Sequence, residues 1–392
     1  MRILSYLGEL GGLRRGTSHR PRTLTHTVSF LCNARCVMCD SWRLPKQDEL
    51  TIDEIDRIYA QLPQLDAVRL TGGEPFVRRD MTEIAHLAIE HLGPRFLHVT
   101  TNAFLTDRVV AFAQDRDRTV PLHVLVSIDG VEEKHDEVRG VPRSYERAMA
   151  TVRELAARRH ELNLRIAVNQ TVVDAEGARH YRPLRDALRA LDVKNHLVLA
   201  YRESATYSLE RDLERTPDGT DSYETYGAFS RAEIEMLLDQ AEFDLAELER
   251  PERLAKSYYL AGLRRRLLGQ EGPAGPSCVA LHAHLRIFPN GDVPTCQHNT
   301  RIVGNLRERR FSELWESAHA VEQRRWVKKC AGCWTECEVL PSAVYTGDLA
   351  KHALKRPLES IAAARVDPVE RTTAEPNEST ESTERVVTRA TV

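Results

Sequence analysis

The chain has 392 residues, of which 42% are hydrophobic and 29% charged, a composition that supplies a sizeable core and suggests two or three folding units. The formal net charge is −3, and because basic and acidic residues are interspersed we expect no binding to nucleic acid. No apolar run is long enough to span a membrane and the first 25 residues lack the apolar core of a signal peptide, so we expect a cytoplasmic protein with reduced cysteines.

The N-terminal extension, residues 1–23, begins with apolar residues that can share one helical face. Three glycines weaken this helix, which favours a short segment packed on the outside of the domain over an anchor at a membrane surface. The regular part of the pattern starts at residue 24.

Residues 24–201 alternate apolar, β-branched stretches with amphipathic ones. The predicted strands are 25–31, 67–73, 96–102, 122–129, 163–173 and 195–201. The predicted helices are 52–62, 80–92, 106–116, 144–160 and 178–191. This alternation predicts an α/β fold with parallel strands and right-handed crossovers, and Thr51 with Glu54 predicts a capping box at the first helix. Six units are too few for a closed eight-stranded barrel, so we expect an open, partial (β/α)6 barrel.

The chain beyond residue 201 divides into three predicted parts. Residues 202–274 combine a polar, tyrosine-rich insertion with linking helices. Three residues of the insertion are expected over the mouth of the barrel: Glu203, Tyr207 and Tyr223. Residues 275–345 form a small cysteine-bearing domain. Residues 346–392 form a C-terminal extension that is rich in Glu, Thr and Ser, and we expect disorder after about residue 365.

Three cysteines follow the first predicted strand within one short loop: Cys32, Cys36 and Cys39. A structural zinc site needs four ligands, so a zinc reading requires a distant histidine as the fourth. Three thiolates can instead hold three irons of a [4Fe–4S] cluster and leave the fourth iron open for a cofactor or substrate. The stretches TGGEP, TTNA and SIDG follow the next three strands. Because the carboxyl ends of parallel strands meet at one edge, we expect a single shared site there.

The stretch CNARCVMC fits the pattern CxxxCxxC, and with TGGEP after the second strand it resembles the radical SAM superfamily over about residues 24–200. The resemblance implies that S-adenosylmethionine (SAM) binds the open iron through its amine and carboxylate. Reductive cleavage would then give methionine and a 5′-deoxyadenosyl radical, so the three cysteines are the expected catalytic residues. It also implies an electron donor such as flavodoxin or ferredoxin. A zinc site would leave the GGEP stretch without a role.

The same resemblance implies a SAM pocket built from the strand ends. Gly72 and Gly73 would let the backbone approach the methionyl ammonium, and Glu74 would complement its charge. Three polar residues are expected to hold the ribose and the methionine portion: Asn102, Ser127 and Asp129. Arg139 would pair with the SAM carboxylate, because the guanidinium fork matches a carboxylate. Two positions are expected to contact the adenine: Met38 and Val168, the latter within the stretch 167–169.

Five further cysteines lie in the small C-terminal domain: Cys278, Cys296, Cys330, Cys333 and Cys337. The stretch FPNGDVPTC predicts a hairpin that turns at Asn290 and Gly291. With IVGNLRERRFSELW, this part of the chain resembles the SPASM/twitch extension of radical SAM enzymes. Five thiols suit one fully ligated auxiliary [4Fe–4S] cluster and one spare thiol. The resemblance favours Cys337 as the spare, although its exchange with one of the two cysteines before it and a four-cysteine zinc knuckle both stay open on spacing alone.

The resemblance implies that the radical abstracts a hydrogen atom from a substrate carbon. The favoured substrate is a small molecule, such as a carbohydrate, aminoglycoside, lipid or similar metabolite, with the auxiliary cluster as the electron acceptor if the net reaction is an oxidation. A maturase that modifies a ribosomal peptide is the first alternative. A non-catalytic iron–sulfur or zinc scaffold is the second, and the GGEP and SIDG stretches argue against it because a scaffold needs no SAM pocket.

Overall fold

The computed structural model describes residues 20–202, 205–207, 224–273, 275–330 and 332–355. The N-terminal helix expected within residues 1–19, the residues Glu203 and Tyr223, and the tail after about residue 365 lie outside these ranges. Among the described residues, none of the helices combines the length and apolarity needed to cross a membrane.

A seven-stranded parallel sheet forms the framework of the fold, in the order β6-β5-β4-β3-β2-β1-β7. The strands are β1 Thr23–Ser29, β2 Ala67–Gly72, β3 Phe96–Thr101, β4 Leu122–Ser127, β5 Leu164–Val172, β6 Lys194–Leu199 and β7 His284–Ile287. The first six correspond to the six predicted strands, which confirms the α/β fold with an open, partial barrel. The seventh was not predicted. It comes from the cysteine-bearing part of the chain and pairs with β1, so that Thr25 lies opposite Arg286.

Helices follow the strands and pack against the sheet. They are α1 Ile52–Tyr59, α2 Met81–Leu92, α3 Thr106–Asp115, α4 Glu133–Arg139, α5 Ser144–Ala157, α6 Ala175–Arg179, α7 Tyr181–Arg189, α8 Arg231–Phe243, α9 Arg250–Leu268, α10 Phe311–Trp315, α11 Ala318–Lys329, α12 Glu336–Thr346 and α13 Asp348–Lys355. The predicted capping box is present, since the Thr51 hydroxyl accepts from Glu54 N at 3.3 Å and Thr51 N donates to the Glu54 carboxylate at 2.8 Å. The sequence missed α4, because its stretch EKHDEVR carries too few apolar residues to form a stripe.

The two faces of the sheet differ in chemistry, and β5 shows the pattern. Ile166 and Val168 are buried in the main hydrophobic core, which the sheet shares with its helices. The alternate residues Asn169 and Thr171 line a cavity instead. This period of two leaves an apolar outer layer and a polar interior, which opens at the carboxyl ends of the strands.

The predicted turn at Asn290 and Gly291 is present, but it is not the tip of a hairpin. Gly291 has a φ of +90°, a left-handed conformation that favours glycine, and Phe288 N donates to Asp292 O at 2.8 Å across the turn. Beyond the turn, β7 pairs with β1, whereas β8 Asp292–Pro294 pairs antiparallel with β9 Ile302–Asn305. The turn therefore joins the barrel sheet to a second, two-stranded sheet.

Candidate active site

The loop after β1 carries the three closely spaced cysteines at the mouth of a cavity of about 300 Å³. Cys32, Cys36 and Cys39 all line this cavity. Each sulfur also has a nitrogen donor: Ala34 N lies 3.4 Å from Cys32 Sγ, Ser41 N lies 3.4 Å from Cys39 Sγ, and Arg139 Nη1 lies 3.5 Å from Cys36 Sγ. Three sulfurs on one cavity, each with an N–H directed at it, form a donor set suited to thiolate ligands.

The electrostatics of this loop show that it is costly for the thiols to ionise without a compensating cation. Burial, together with the neighbouring cysteine charges, raises the pKa of Cys32 to about 12. Burial raises the pKa of Cys39 to about 12 as well, and it also raises that of Cys36, where the Arg139 charge opposes it. A bound metal cluster supplies the missing positive charge, so these residues fit an iron–sulfur cluster.

Gly72 and Gly73 let β2 and its following turn approach the cysteine loop. A Cβ on Gly72 would lie 2.2 Å from Ser29 O, and one on Gly73 would lie 2.4 Å from Leu31 O. Gly73 N donates to Ser29 O at 2.8 Å. The two glycines line the cavity as expected, and their packing against the end of β1 gives a structural reason for glycine that the sequence reading did not foresee.

Glu74, expected near the methionyl ammonium, is buried beside the cavity rather than in its lining. Its side chain is 1% exposed and accepts hydrogen bonds from Thr101 Oγ1 at 2.8 Å, Asn102 N at 2.7 Å and Phe76 N at 3.1 Å. Burial raises the pKa of Glu74 to about 7, although these donors oppose the shift. The carboxylate therefore ties the turn after β2 to the end of β3.

Asp129, expected near the ribose, is also buried outside the cavity lining and pairs with Arg139. Its Oδ2 lies 2.6 Å from Arg139 Nε, and its Oδ1 accepts from Thr171 N at 3.0 Å. Arg139 does line the cavity, at the end of α4, and reaches Cys36 through Nη1. Asp129 thus acts on the site by holding the guanidinium in place.

Four of the remaining predicted pocket positions can be placed. Met38, Asn102 and Ser127 line the cavity. Val168 does not, because it lies on the apolar face of β5, and its neighbour Asn169 takes that place in the cavity wall. Neighbouring residues of a strand point to opposite faces, so the cavity face of β5 carries Asn169 and the core face carries Val168.

The five C-terminal cysteines divide into a group of four and a single residue. The four are Cys278, Cys296, Cys330 and Cys333. Burial and the Glu338 charge raise the pKa of the Cys278 thiol, and the charges of Cys296 and Cys333 add to this effect. The Cys330 charge likewise acts on Cys296. Burial is the main cause that raises the pKa of the Cys296 thiol to about 12. Cys337 lines the cavity instead and donates to Gln297 Oε1 at 2.9 Å. Besides burial, the charges that act on it are mainly those of Glu338, Arg69 and Arg286.

The cavity has a second wall that the sequence reading missed. It consists of residues from β2, β7 and the start of α12, together with parts of two loops: Arg69, Tyr207, Arg286, Gln297, Glu336 and Cys337. Of these, only Tyr207 was expected near the mouth. Arg69 has a sequence signal that could have found it, since it interrupts the apolar stretch AVRLTGG at an inward position. Arg286 had none, because β7 was not predicted to join the barrel.

Comparisons with known proteins agree with this architecture. The radical SAM superfamily model matches residues 27–180, and the SPASM model, an iron–sulfur cluster-binding domain, matches residues 278–334. Two curated relatives come from Methanosarcina barkeri. An AdoMet-dependent heme synthase is 26% identical over 81% of this chain and 92% of its own, and an Fe-coproporphyrin III synthase is 26% identical over 72% and 71%.

Two solved structures have a similar fold. The enzyme anSMEcpe with bound AdoMet covers 87% of this chain and 98% of its own, with a TM-score of 0.53 and 16% identity. Streptococcus suis SuiB bound to its precursor peptide SuiA covers 81% and 70%, also with a TM-score of 0.53 and 16% identity. At this identity the likeness establishes the fold, which agrees with the open barrel and its C-terminal cysteine domain.

Proposed function

From a chain that joins a radical SAM domain to a C-terminal SPASM domain, we propose that the loop cysteines Cys32, Cys36 and Cys39 hold a [4Fe–4S] cluster with one open iron, at which SAM binds. When bound, the reduced cluster supplies the electron that cleaves SAM to methionine and a 5′-deoxyadenosyl radical, and this radical takes a hydrogen atom from the substrate. The observation that carries the proposal is that three sulfurs, each with an N–H donor, line one cavity together with residues from all seven strands of the sheet.

The protein's own residues position the reactants. Arg139, fixed by Asp129, offers a guanidinium beside the Cys36 sulfur and is our candidate to bind the SAM carboxylate. Asn102 lies near Cys32, where its Nδ2 donates to Asn33 Oδ1 at 2.7 Å and is 4.0 Å from Cys32 Sγ. Ser127 and Asn169 face the same space from adjacent strands and are our candidates for the polar contacts to SAM.

We propose that Cys278, Cys296, Cys330 and Cys333 hold one auxiliary [4Fe–4S] cluster, and that Cys337 is not a ligand. The coupling among the four thiols supports this grouping. Backbone N–H groups lie near three of the sulfurs, with Ala280 N 3.5 Å from Cys278 Sγ, Asn299 N 3.3 Å from Cys296 Sγ and Gly332 N 3.4 Å from Cys330 Sγ. A closed set of four thiolates suits electron transfer or structure, in contrast to the open set of three.

The test is the release of 5′-deoxyadenosine from SAM by anaerobic, reconstituted protein with a strong reductant. We expect release from the wild type and from Cys337→Ala, which is the matched control. The triple variant Cys32→Ala/Cys36→Ala/Cys39→Ala should release none and yet retain about four irons per chain in the auxiliary site. Release by the triple variant would overturn the assignment, and retention of zinc without iron would support a zinc knuckle.

For the substrate we propose a small molecule. The curated relatives that span most of this chain carry the names of a heme synthase and an Fe-coproporphyrin III synthase, which supports a small-molecule reading over a scaffold. A peptide substrate is the second candidate, since the fold matches that of SuiB, solved with its precursor peptide. Transfer of deuterium from a labelled candidate into 5′-deoxyadenosine would identify the substrate directly. Transfer from a peptide but from no small molecule would make the peptide the favoured substrate.

The proposal also requires an electron donor and a reducing compartment. We propose flavodoxin or ferredoxin as the donor, because cleavage of SAM consumes one electron for each radical formed. All eight cysteines of the chain lie within the described residues, and none of them forms a disulfide bond there. We therefore propose a cytoplasmic location, where thiols stay reduced and can bind clusters.

A further inference from the structure

We propose that the second wall of the cavity, defined above, is a subsite for a substrate carboxylate, which Arg69 and Arg286 bind. The inference rests on the proposed function, because it names the chemical class of the substrate that shares the cavity with SAM. Both arginines line this cavity from strands that flank β1, Arg69 from β2 and Arg286 from β7. The C-terminal domain thus supplies half of the subsite.

The charged side chains at this wall form two ion pairs, and Arg69 remains as a cation outside them. Arg286 Nη2 donates to Glu338 Oε1 at 2.7 Å, and Lys256 Nζ donates to Glu336 Oε1 at 2.7 Å. Within the described part of the chain, the side chain of Arg69 forms neither an ion pair nor a hydrogen bond, although its charge acts on Glu336 and Cys337. One uncompensated positive charge matches a monoanionic carboxylate, whereas a phosphate dianion would leave an excess of negative charge.

Arg286 adds a buried donor that lacks a hydrogen-bond partner among the described residues. The residue is 4% exposed, and among the described residues its Nε is buried without a hydrogen-bond partner. Glu338 fixes the far side of the guanidinium and is itself held by His284 Nδ1 at 3.3 Å. A buried donor without a partner is unfavourable, and a ligand oxygen in the cavity would satisfy it.

Cys337 provides a natural reporter for this subsite. Its thiol lines the same cavity, and the charges of both Arg69 and Arg286 act on it. Our assignment leaves it outside both cluster sites, so in reconstituted protein it is the one cysteine with an unligated thiol. Iodoacetate and iodoacetamide alkylate a thiolate by the same step, in which an S–C bond forms, a C–I bond breaks and iodide leaves. They differ in that iodoacetate carries a carboxylate.

The experiment measures alkylation of Cys337 by each reagent in reconstituted protein with SAM bound and no reductant, using peptide mass spectrometry and Cys337→Ser as the blank. We expect the iodoacetate-to-iodoacetamide rate ratio to exceed that of N-acetylcysteine by about tenfold, because the arginines attract the carboxylate. Because both reagents react with the same thiolate, the ratio of their rates does not depend on the fraction of Cys337 that is ionised. Arg69→Met should bring it to the N-acetylcysteine value, and Arg69→Lys should keep much of the excess.

Competition in the wild type tests the same subsite without a variant. Propionate should slow alkylation by iodoacetate, whereas the neutral propionamide of similar size should not. A wild-type ratio equal to that of N-acetylcysteine, or one that Arg69→Met leaves unchanged, would overturn the subsite. Stronger protection by inorganic phosphate than by propionate would overturn the carboxylate class. Because alkylation needs no SAM cleavage, these results are separate from success or failure of the 5′-deoxyadenosine assay.

Discussion

The ion pair between Arg139 and Asp129 makes the sharpest prediction about how this site is built. Asp129 is 1% exposed, and its Oδ2 has the Arg139 Nε at 2.6 Å as its charged partner. In Arg139→Met the carboxylate would lose its charged partner and keep hydrogen bonds from Thr171, whose N lies 3.0 Å from Oδ1. Removal of one member of a buried pair leaves an uncompensated charge, so we expect a loss of about 3–5 kcal/mol in the free energy of unfolding.

The second variant separates the ion pair from the packing of the side chains. Asp129→Asn alone leaves the Arg139 guanidinium buried without its counterion, whereas the double variant Asp129→Asn/Arg139→Met removes both charges. We expect the double variant to be less destabilised than the sum of the singles, with a coupling free energy of about 2–3 kcal/mol. Urea unfolding of the reconstituted wild type, the two single variants and the double variant measures the four free energies of unfolding that this comparison needs.

The pH dependence gives an independent check of the same reasoning. Burial raises the pKa of Asp129, and the Arg139 charge opposes this shift. Without Arg139 the pKa of the folded state rises further above that of the unfolded state, so stability is kept at low pH and lost as the pH rises. Arg139→Met should therefore be less destabilised at pH 5 than at pH 8. Additive single variants, or a loss that does not change with pH, would refute the argument.

Three further predictions concern neighbouring parts of the two sites. Gly73→Ala should lower 5′-deoxyadenosine release at least about tenfold, because its Cβ would lie 2.4 Å from Leu31 O and displace the cysteine loop. Gly177→Ala is the control and should not lower the release, because its Cβ would lie 3.3 Å from the nearest neighbouring atom. Burial raises the pKa of Glu74 to about 7, so wild-type stability should fall by about 3 kcal/mol between pH 4.5 and 7, and Glu74→Gln should lack this fall in urea unfolding. In the background without the loop cysteines, Cys333→Ser should lose about four irons and Cys337→Ser none, and the reverse order would contradict our ligand assignment.

The sequence predicted the barrel well because its strands and helices carry strong periodic patterns. The six strands lie where apolar, β-branched stretches alternate with amphipathic ones, and the capping box at Thr51 forms as predicted. The seventh strand, β7, escaped prediction because HLRI is short, and its pairing with β1 is a contact between residues more than 250 positions apart. A local pattern carries no information on such a contact.

Some of the residues predicted for the candidate site line the cavity and others do not, for a physical reason. The motifs place Arg139, Asn102 and Ser127 on the cavity, because the carboxyl end of a strand fixes where the following residues lie. The sequence does not reveal which way a polar side chain turns after the strand ends. Glu74 and Asp129 turn inward to partners in the protein, and a shift of one residue moves Val168 from the cavity wall to the core.

The position of β7 changes the part that the C-terminal domain plays in the site. By pairing with β1 it extends the barrel wall and brings Arg286 opposite Thr25, and the chain that follows it adds Gln297, Glu336 and Cys337 to the same cavity. A domain that only stored electrons would need no such contribution. The cavity in which we propose that the substrate binds is therefore lined by both parts of the chain, and our proposal predicts that changes in the second part alter the substrate without altering the loop cysteines.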